Sequence, residues 1–331
     1  MGATRKQAIV HAGLHRCAST SIQNLLEALR PGIEASGTDL ILRSDIAGDP
    51  RLKHFRAIPR ANSTGLAGWW RRNRGGAALA SFSRERLLIS EEALLGTMPG
   101  FREMGFYPRQ NQIWAAFAGW GAYEVHPRLV VRRQDTWLES VYAFLVARGT
   151  ATGFDEFFKD AEPSHMRYTA LLNTLDGFNL LGRTRIGVLE DWTERGTLKS
   201  ALELFDLTGN ADDFHFQSHR RMPPHALPIL VALNRTIGNV LGVKQQVAIS
   251  SALAKLSPEC RRQEIAAALE SALPARIHGQ IADILSAHDP ALPITFTDEA
   301  RTRWRTELTE DNRQFLSHPA VNMDAGIWQD D

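Results

Sequence analysis

Short apolar runs alternate with longer amphipathic stretches over the first two-thirds of the chain, and amphipathic stretches alone fill the rest. The runs read as strands near residues 7–12, 38–42, 86–90, 128–132 and 184–189, each short and bounded by polar or turn-forming positions. Between them apolar residues recur at helical spacing. Ile22, Leu25, Leu26 and Leu29 form one stripe, and Trp137, Leu138, Val141 and Tyr142 form another. Strands alternating with helices predict an α/β fold, a parallel sheet flanked by helices on both faces. After Met222 the pattern turns helical, with runs near 226–242, 258–272, 275–287 and 298–317 punctuated by Pro-Pro and Leu-Pro. This helical C-terminal part, 222–318, is expected to cap the sheet and shape a cleft. Residues 44–84 break both periods with Pro, Gly, Arg and aromatic residues, as in IPRANSTGLAGWWRRNRGG. A long irregular connection of that kind is expected to be a functional loop or lid.

The first strand runs into the most informative segment, QAIVHAGLHRCASTSIQ, from Gln7 to Gln23. Ala8, Ile9 and Val10 read as a buried strand, Gly13 as the turn, and the stripe from Ile22 as the helix that follows. A strand that turns tightly into a helix leaves the first helical N–H groups unpaired and aims the positive end of the helix dipole at the turn. An anion can dock there, and Ser19, Thr20 and Ser21 add hydroxyls where capping chemistry wants them. Set against the nucleotide-triphosphate loop G-x-x-x-x-G-K-[ST], the segment has Ala18 at the second Gly, Ser19 at the Lys and Thr20 at the hydroxyl. The sheet is therefore expected to be P-loop-like, with its cation moved forward to Arg16 in the turn.

A second segment, HPRLVVRRQDTWLESVY, covers His126 to Tyr142. Leu129, Val130 and Val131 read as a strand, with Arg132 at its C-terminal end and Ser140 eight residues further on. A guanidinium forks onto phosphate oxygens and a hydroxyl adds a donor from the side. The plainer alternative pairs Arg132 or Arg133 with Asp135 or Glu139 on a solvated helix face.

The first loop resembles the 5′-phosphosulfate loop of sulfotransferases, especially the bacterial family whose loop reads H-x-G-x-H-K-T-G-T-T-S-I-Q. His11, Gly13, His15, Thr20, Ser21, Ile22 and Gln23 match it, Arg16 stands for Lys, and Ala18 replaces the last Gly. Arg132 and Ser140 resemble, in type and spacing, the pair with which sulfotransferases hold the 3′-phosphate of 3′-phosphoadenosine-5′-phosphosulfate (PAPS), the sulfuryl donor. LLISEEAL (87–94) resembles the family's strand followed by S-x-E, with Ser90 and Glu92 on the match. RIGVLEDW (185–192) is similar to its strand ending in Glu-Asp, and Trp304 to Leu316, with Asn312 and Phe315, to its closing helix.

The resemblance implies a PAPS-dependent sulfotransferase. An acceptor hydroxyl, on a glycan or small metabolite, attacks the sulfur in line, and 3′-phosphoadenosine-5′-phosphate leaves. Arg16 would stabilise charge on the bridging oxygen. The backbone N–H groups of Cys17, Ala18, Ser19, Thr20 and Ser21, with the Thr20 and Ser21 hydroxyls, would hold the 5′-phosphate. Arg132 and Ser140 would hold the 3′-phosphate. Within FQSHRRM, Ser218, Arg220 and Arg221 stand where sulfotransferases close over the nucleotide, with solvated charge as the alternative. For the general base Glu92 leads by its match to S-x-E, with Glu91, His15 and His54 as rivals. The 44–84 segment would lie on the acceptor side, where Trp69 and Trp70 would stack on an acceptor or else pack as a buried pair.

Size and charge narrow the classes further. At 331 residues and 44% hydrophobic, the chain can bury a large core, and 1–331 is expected to form a single domain. A net charge of +1 argues against nucleic acid or an anionic membrane as a bulk partner. No apolar stretch suits a bilayer and the N-terminus lacks an apolar signal region, so a cytosolic location is expected. Cys17 and Cys260 give neither a disulfide framework nor a metal cluster, and no metal is expected. Arg16 and the helix N-terminus would lower the Cys17 pKa; the bland reading is a small side chain filling the place of Ser or Thr. Two other classes share the strand, turn and helix: a P-loop kinase, which needs a Lys where Ser19 stands, and a non-catalytic nucleotide- or glycan-binding protein.

Overall fold

A computed structural model describes residues 6–49, 52, 82–96, 98–99, 106–214, 222–238, 241–257, 259–323 and 327–328. The chain divides into two compact units, one comprising Met1–Gln134, Glu162–Ser218 and Glu307–Asp331, the other Asp135–Ala161 and His219–Thr306.

The first unit is built on a six-stranded, all-parallel sheet in the order β2-β3-β1-β4-β5-β6. The strands are β1 (Lys6–His11), β2 (Thr38–Leu42), β3 (Arg86–Ser90), β4 (Tyr123–Val131), β5 (Arg185–Val188) and β6 (Val321–Asn322). Helices of the same unit flank it: α1 (Ser19–Ala28), α2 (Gln110–Ala118), α4 (Thr169–Gly177), α5 (Leu189–Arg195) and α6 (Thr197–Phe205); α3 (Gln134–Val146) contributes only Gln134 to this unit. Because a parallel sheet is covered on both faces, its central strands carry continuous apolar runs. Ala8, Ile9 and Val10 in β1, and Leu129 to Val131 in β4, are all at most 1% exposed.

Five strands fall where the apolar runs predict them. The start of β4 differs: it begins at Tyr123, and Pro127 lies within it opposite Val10. Proline in a central strand breaks the usual sequence signal because it contributes no ladder N–H. The two-residue β6 is too short to leave a periodic pattern.

The order of the strands sets where a ligand can bind. From β1 the chain moves out to β2, whereas from β4 it moves to β5 on the opposite side, so the carboxyl ends of β1 and β4 flank the topological switch point. In open α/β sheets the crevice outside that point is the preferred ligand site. The segment after β1 is stitched to β4: Leu14 donates its N–H to Val130 C=O at 3.1 Å, and Val130 donates to Gly13 C=O at 3.1 Å.

The second unit is helical. It holds α3 from Asp135 onward, α7 (Ala226–Ile237), α8 (Val243–Leu253), α9 (Arg262–Ala272), α10 (Ile281–Ala287) and the first turns of α11 (Asp298–Leu316). The apolar spacing marks five of these; α8, bearing Lys244, Gln245, Gln246 and two serines, leaves a weaker stripe. Phe154 anchors the core, edge-to-face against Tyr142 at 5.2 Å and Phe296 at 4.8 Å. Asp135 and Glu139 are buried here as partners of α11: Arg301 reaches Asp135 at 3.3 Å and Glu139 at 2.6 Å, and Arg305 reaches Asp135 at 3.0 Å.

One glycine of the sheet is fixed by packing. A Cβ on Gly187 in β5 would stand 2.4 Å from the Trp192 ring, and Trp192 itself is buried. Gly187→Ala is expected to destabilise the protein by about 1–3 kcal/mol through overpacking, read as a lowered urea midpoint with an unchanged slope.

Candidate functional site

The loop between β1 and α1 is shaped by its backbone. Gly13 has φ +102°, and a Cβ there would sit 2.7 Å from the Glu92 carbonyl oxygen, so only glycine fits both the angle and the space. Arg16 and Ala18 follow at φ 63° and 58°, both left-handed. Ala18 is the N-cap residue of α1, and the first helical bond runs from Ile22 N–H to Ala18 C=O at 3.0 Å. The N–H groups of Cys17, Ala18, Ser19, Thr20 and Ser21 have no acceptor among the described residues. Five unpaired donors at the positive end of a helix dipole form a cradle for an anion.

The end of β3 supplies the acidic side of the site. After β3 the chain makes a 3-10 turn, Glu92–Leu95, and the two glutamates part there. Glu91 is buried and caps its own turn, accepting the Ala93 N–H at 2.9 Å. Glu92 reaches the loop: one oxygen accepts from the Ser19 hydroxyl and the other from Arg43 at 2.5 Å. Burial alone would raise the Glu92 pKa, but the Ser19 hydrogen bond, His15 and Arg43 outweigh it and hold the carboxyl below its usual value. At neutral pH His15 is uncharged, so Ser19 and Arg43 carry that effect.

Both loop histidines are buried. His11 Nδ1 lies 2.8 Å from the Ser90 hydroxyl, tying β1 to β3, and the His11 ring meets Phe205 edge-on at 5.5 Å. Burial lowers its pKa to about 4, against a small opposing pull from Glu92. His15 lies on Tyr107, whose hydroxyl accepts the His15 backbone N–H at 3.0 Å and sits 2.8 Å from His15 Nδ1. Burial, reinforced by Arg43 and Arg16 and opposed by Glu92, also lowers the His15 pKa to about 4.

Arg132, directly after β4, has its Nε 3.8 Å from Glu190 Oε1. Glu190, at the start of α5, also accepts the Arg133 N–H at 3.1 Å and the Trp328 indole N–H at 3.2 Å. Tyr168 donates its hydroxyl to the Arg132 carbonyl at 2.5 Å and stacks on Trp328 with centroids 6.0 Å apart. Cys17 reports the convergence of these elements. Its thiol is buried and raised far above the usual range by burial, with Arg132 and Arg16 pulling down and Glu190 and Glu92 pushing up. The thiolate that the helix N-terminus and Arg16 would favour is thus outweighed by desolvation, and Cys17 acts as a small buried side chain.

Among the residues singled out by sequence, the structure gathers Arg16, Cys17, Ala18, Ser19, Thr20, Ser21, His15, Glu92 and Arg132 on the carboxyl side of the first unit's sheet. Ser140 is buried on α3 in the second unit. His54, Trp69, Trp70, Ser218, Arg220 and Arg221 lie outside the described residues, as does most of 44–84. Sequence reading passed over Arg43, Tyr107 and Trp328. Arg43 directly follows a parallel strand, which is a signal in itself; Tyr107 and Trp328 sit in irregular segments and carry none. A cleft of about 850 Å³ elsewhere in this unit, lined by Arg195, Lys199, Leu202, Glu203, Asp206 and Asp212 among others, includes none of the loop residues. Among the described residues no group of three or more His, Cys, Asp or Glu side chains is placed to hold a metal ion. No protein-family model, curated protein or solved structure matches the chain.

The loop's two constrained positions respond oppositely to substitution. Gly13→Ala is expected to cost about 3 kcal/mol or more, from a positive φ and a backbone clash together. Ala18→Gly, which relieves a left-handed alanine, should add about 1 kcal/mol, both measured by urea unfolding.

The histidines set a pH dependence. Folded, His11 and His15 titrate near pH 4; unfolded, near 6.5. As pH falls through that window the unfolded chain takes up protons that the native state excludes, so stability is full above 6.5 and declines toward 4. The decline amounts to about 3 kcal/mol per histidine. Urea titrations at stepped pH should show it, and His11→Asn, which keeps a donor for Ser90, should remove about half.

Proposed function

We propose that the chain is a sulfotransferase with a P-loop-like fold, moving a sulfuryl group from PAPS to a hydroxyl of a glycan or small-metabolite acceptor. The observation that carries this reading is the loop after β1. Its five unpaired N–H groups, with Arg16 in the turn and Ser19 where a triphosphate loop has Lys, lie at the same switch point as Arg132. Such a loop suits a 5′-phosphate bearing one further group, and Arg132 suits a second phosphate at the neighbouring strand end.

In this reading the acceptor oxygen bonds to sulfur as the bond from sulfur to the 5′-phosphate oxygen breaks. Arg16 and the loop N–H groups take up the charge on the departing bisphosphate. Glu92 accepts the hydroxyl proton: it is ionised at neutral pH, and its hydrogen bonds to Ser19 and Arg43 fix it beside the loop. Arg132 holds the 3′-phosphate. Ser19 at the Lys position counts against a kinase, and the non-catalytic alternative is separated by whether sulfate moves. No described helix is long and apolar enough to cross a membrane, and a cytosolic location goes with the reading.

Calorimetric titration tests it. 3′-Phosphoadenosine-5′-phosphate is expected to bind without metal, and Arg132→Ala or Arg16→Ala to weaken it about tenfold to a hundredfold, the value of a charge-assisted hydrogen bond. Binding of ATP with Mg²⁺ in its place, or of neither nucleotide, overturns the reading.

A further inference from the structure

Four contacts close a circuit at the exit of β4, all of them within the first unit. The Tyr168 hydroxyl donates to the Arg132 carbonyl at 2.5 Å. Arg132 Nε and Glu190 Oε1 approach at 3.8 Å, the distance of an ion pair and beyond that of a hydrogen bond. Glu190 Oε2 accepts the Trp328 indole N–H at 3.2 Å, and the Trp328 ring lies on Tyr168, centroids 6.0 Å apart and 26° from parallel. The donors are unambiguous, because a carbonyl oxygen only accepts and an indole N–H only donates. The aromatic half of the circuit is firmly seated. Tyr168 is 0% exposed and its backbone N–H is taken by Asp311 of α11 at 2.8 Å. Phe315 of the same helix packs on Tyr168 at 5.0 Å and on Trp328 at 6.4 Å. Burial pushes the Tyr168 pKa well up, so the phenol keeps the proton it donates.

We propose that Tyr168 and Trp328 are positioning residues that hold Arg132 by its carbonyl and, through Glu190, by its guanidinium, so that the arginine is presented to a phosphate without being captured by the carboxylate beside it. Tyr168 fixes the peptide that leaves β4, and with it the direction in which the Arg132 side chain sets out. Trp328 restrains the carboxylate. Glu190 Oε1 accepts the Arg133 N–H at 3.1 Å and Oε2 the Trp328 N–H, so both oxygens are directed at neutral donors. Released from the indole, Glu190 would turn both oxygens onto the guanidinium in the two-pronged pairing that suits arginine, and a phosphate would have to break it. Held as it is, Glu190 orients the cation by charge at 3.8 Å. That the ligand of Arg132 is a 3′-phosphate rests on the sulfotransferase reading; the bracket itself does not.

The test compares, by calorimetry, 3′-phosphoadenosine-5′-phosphate with adenosine 5′-phosphate, which lacks the group that Arg132 would take. Tyr168→Phe keeps the buried ring and Trp328→Phe keeps the stack, and each deletes one hydrogen-bond donor. Each is expected to lower the preference for the bisphosphate about threefold to tenfold, while adenosine 5′-phosphate stays within about twofold of wild type. Equal losses for both nucleotides, the mark of a merely structural role, overturn the proposal, as does an unchanged preference. A second readout needs no nucleotide. In nitrogen NMR the Arg132 Nε–H resonance, assigned by its loss in Arg132→Lys, is expected to shift in both variants, and to move downfield in Trp328→Phe as Glu190 closes onto the guanidinium. A resonance unmoved in either variant overturns the proposal. If the bisphosphate does not bind the wild type, the sulfotransferase reading fails by itself, and this shift decides the bracket.

Discussion

The close approach of the Gly13 backbone to the Glu92 carbonyl is the constraint on which the site depends. The loop after β1 is pressed between the ends of β3 and β4, bonded to Val130 on one side and touching Glu92 on the other. With no room to bulge outward, the chain turns by left-handed residues at Arg16 and Ala18 before α1 begins. The same turn leaves five N–H groups without an acceptor among the described residues. The left-handed turn and its row of unpaired donors therefore have one origin, the wedging of a central strand's exit between two neighbours.

Around this turn, charge is arranged in opposed pairs. Arg43 faces Glu92 and Arg132 faces Glu190, each arginine drawn from a strand end and each glutamate from the turn or helix after the next strand. The largely buried Arg132 guanidinium left alone would be costly to desolvate, and Glu190 offsets that while fixing its direction; Arg43 is exposed, and its pairing serves to orient Glu92. Glu190 is itself held by the Arg133 N–H and Trp328. Under the sulfotransferase reading, a phosphate arriving at Arg132 would meet a group already aimed, at the expense of sharing it with a carboxylate. The histidines contribute no charge at neutral pH, because burial outweighs the carboxylate near them.

How much of this the sequence discloses follows from the range of each interaction. The first five strands, α1, and the placement of Arg16, Ser19, Glu92 and Arg132 are legible because each is set by local periodicity or by the rule that ligands gather at carboxyl ends of parallel strands. The strain at Ala18 is legible only as a missing glycine; its left-handed angle is what the structure adds. Tyr107 is invisible because it acts across 92 residues, from an irregular segment, on a backbone N–H that no pattern marks. The choice between Glu91 and Glu92 follows from one turn of 3-10 helix that caps the first and sends the second to Ser19. Pro127 hides the start of β4 by removing the very N–H that a strand is recognised for.

The low pKa of Glu92 bears directly on its role. A carboxylate held down by Ser19 and Arg43 is a weak base. An anion in the cradle changes both terms: it brings negative charge within a few ångströms, and it competes for the Ser19 hydroxyl and the field of Arg43. Each change raises a carboxylate pKa. Under the sulfotransferase reading, the base therefore strengthens only when the donor is in place, which ties proton removal from the acceptor to the presence of something to transfer. His15, by contrast, is neutral at pH 7, because burial holds its pKa near 4.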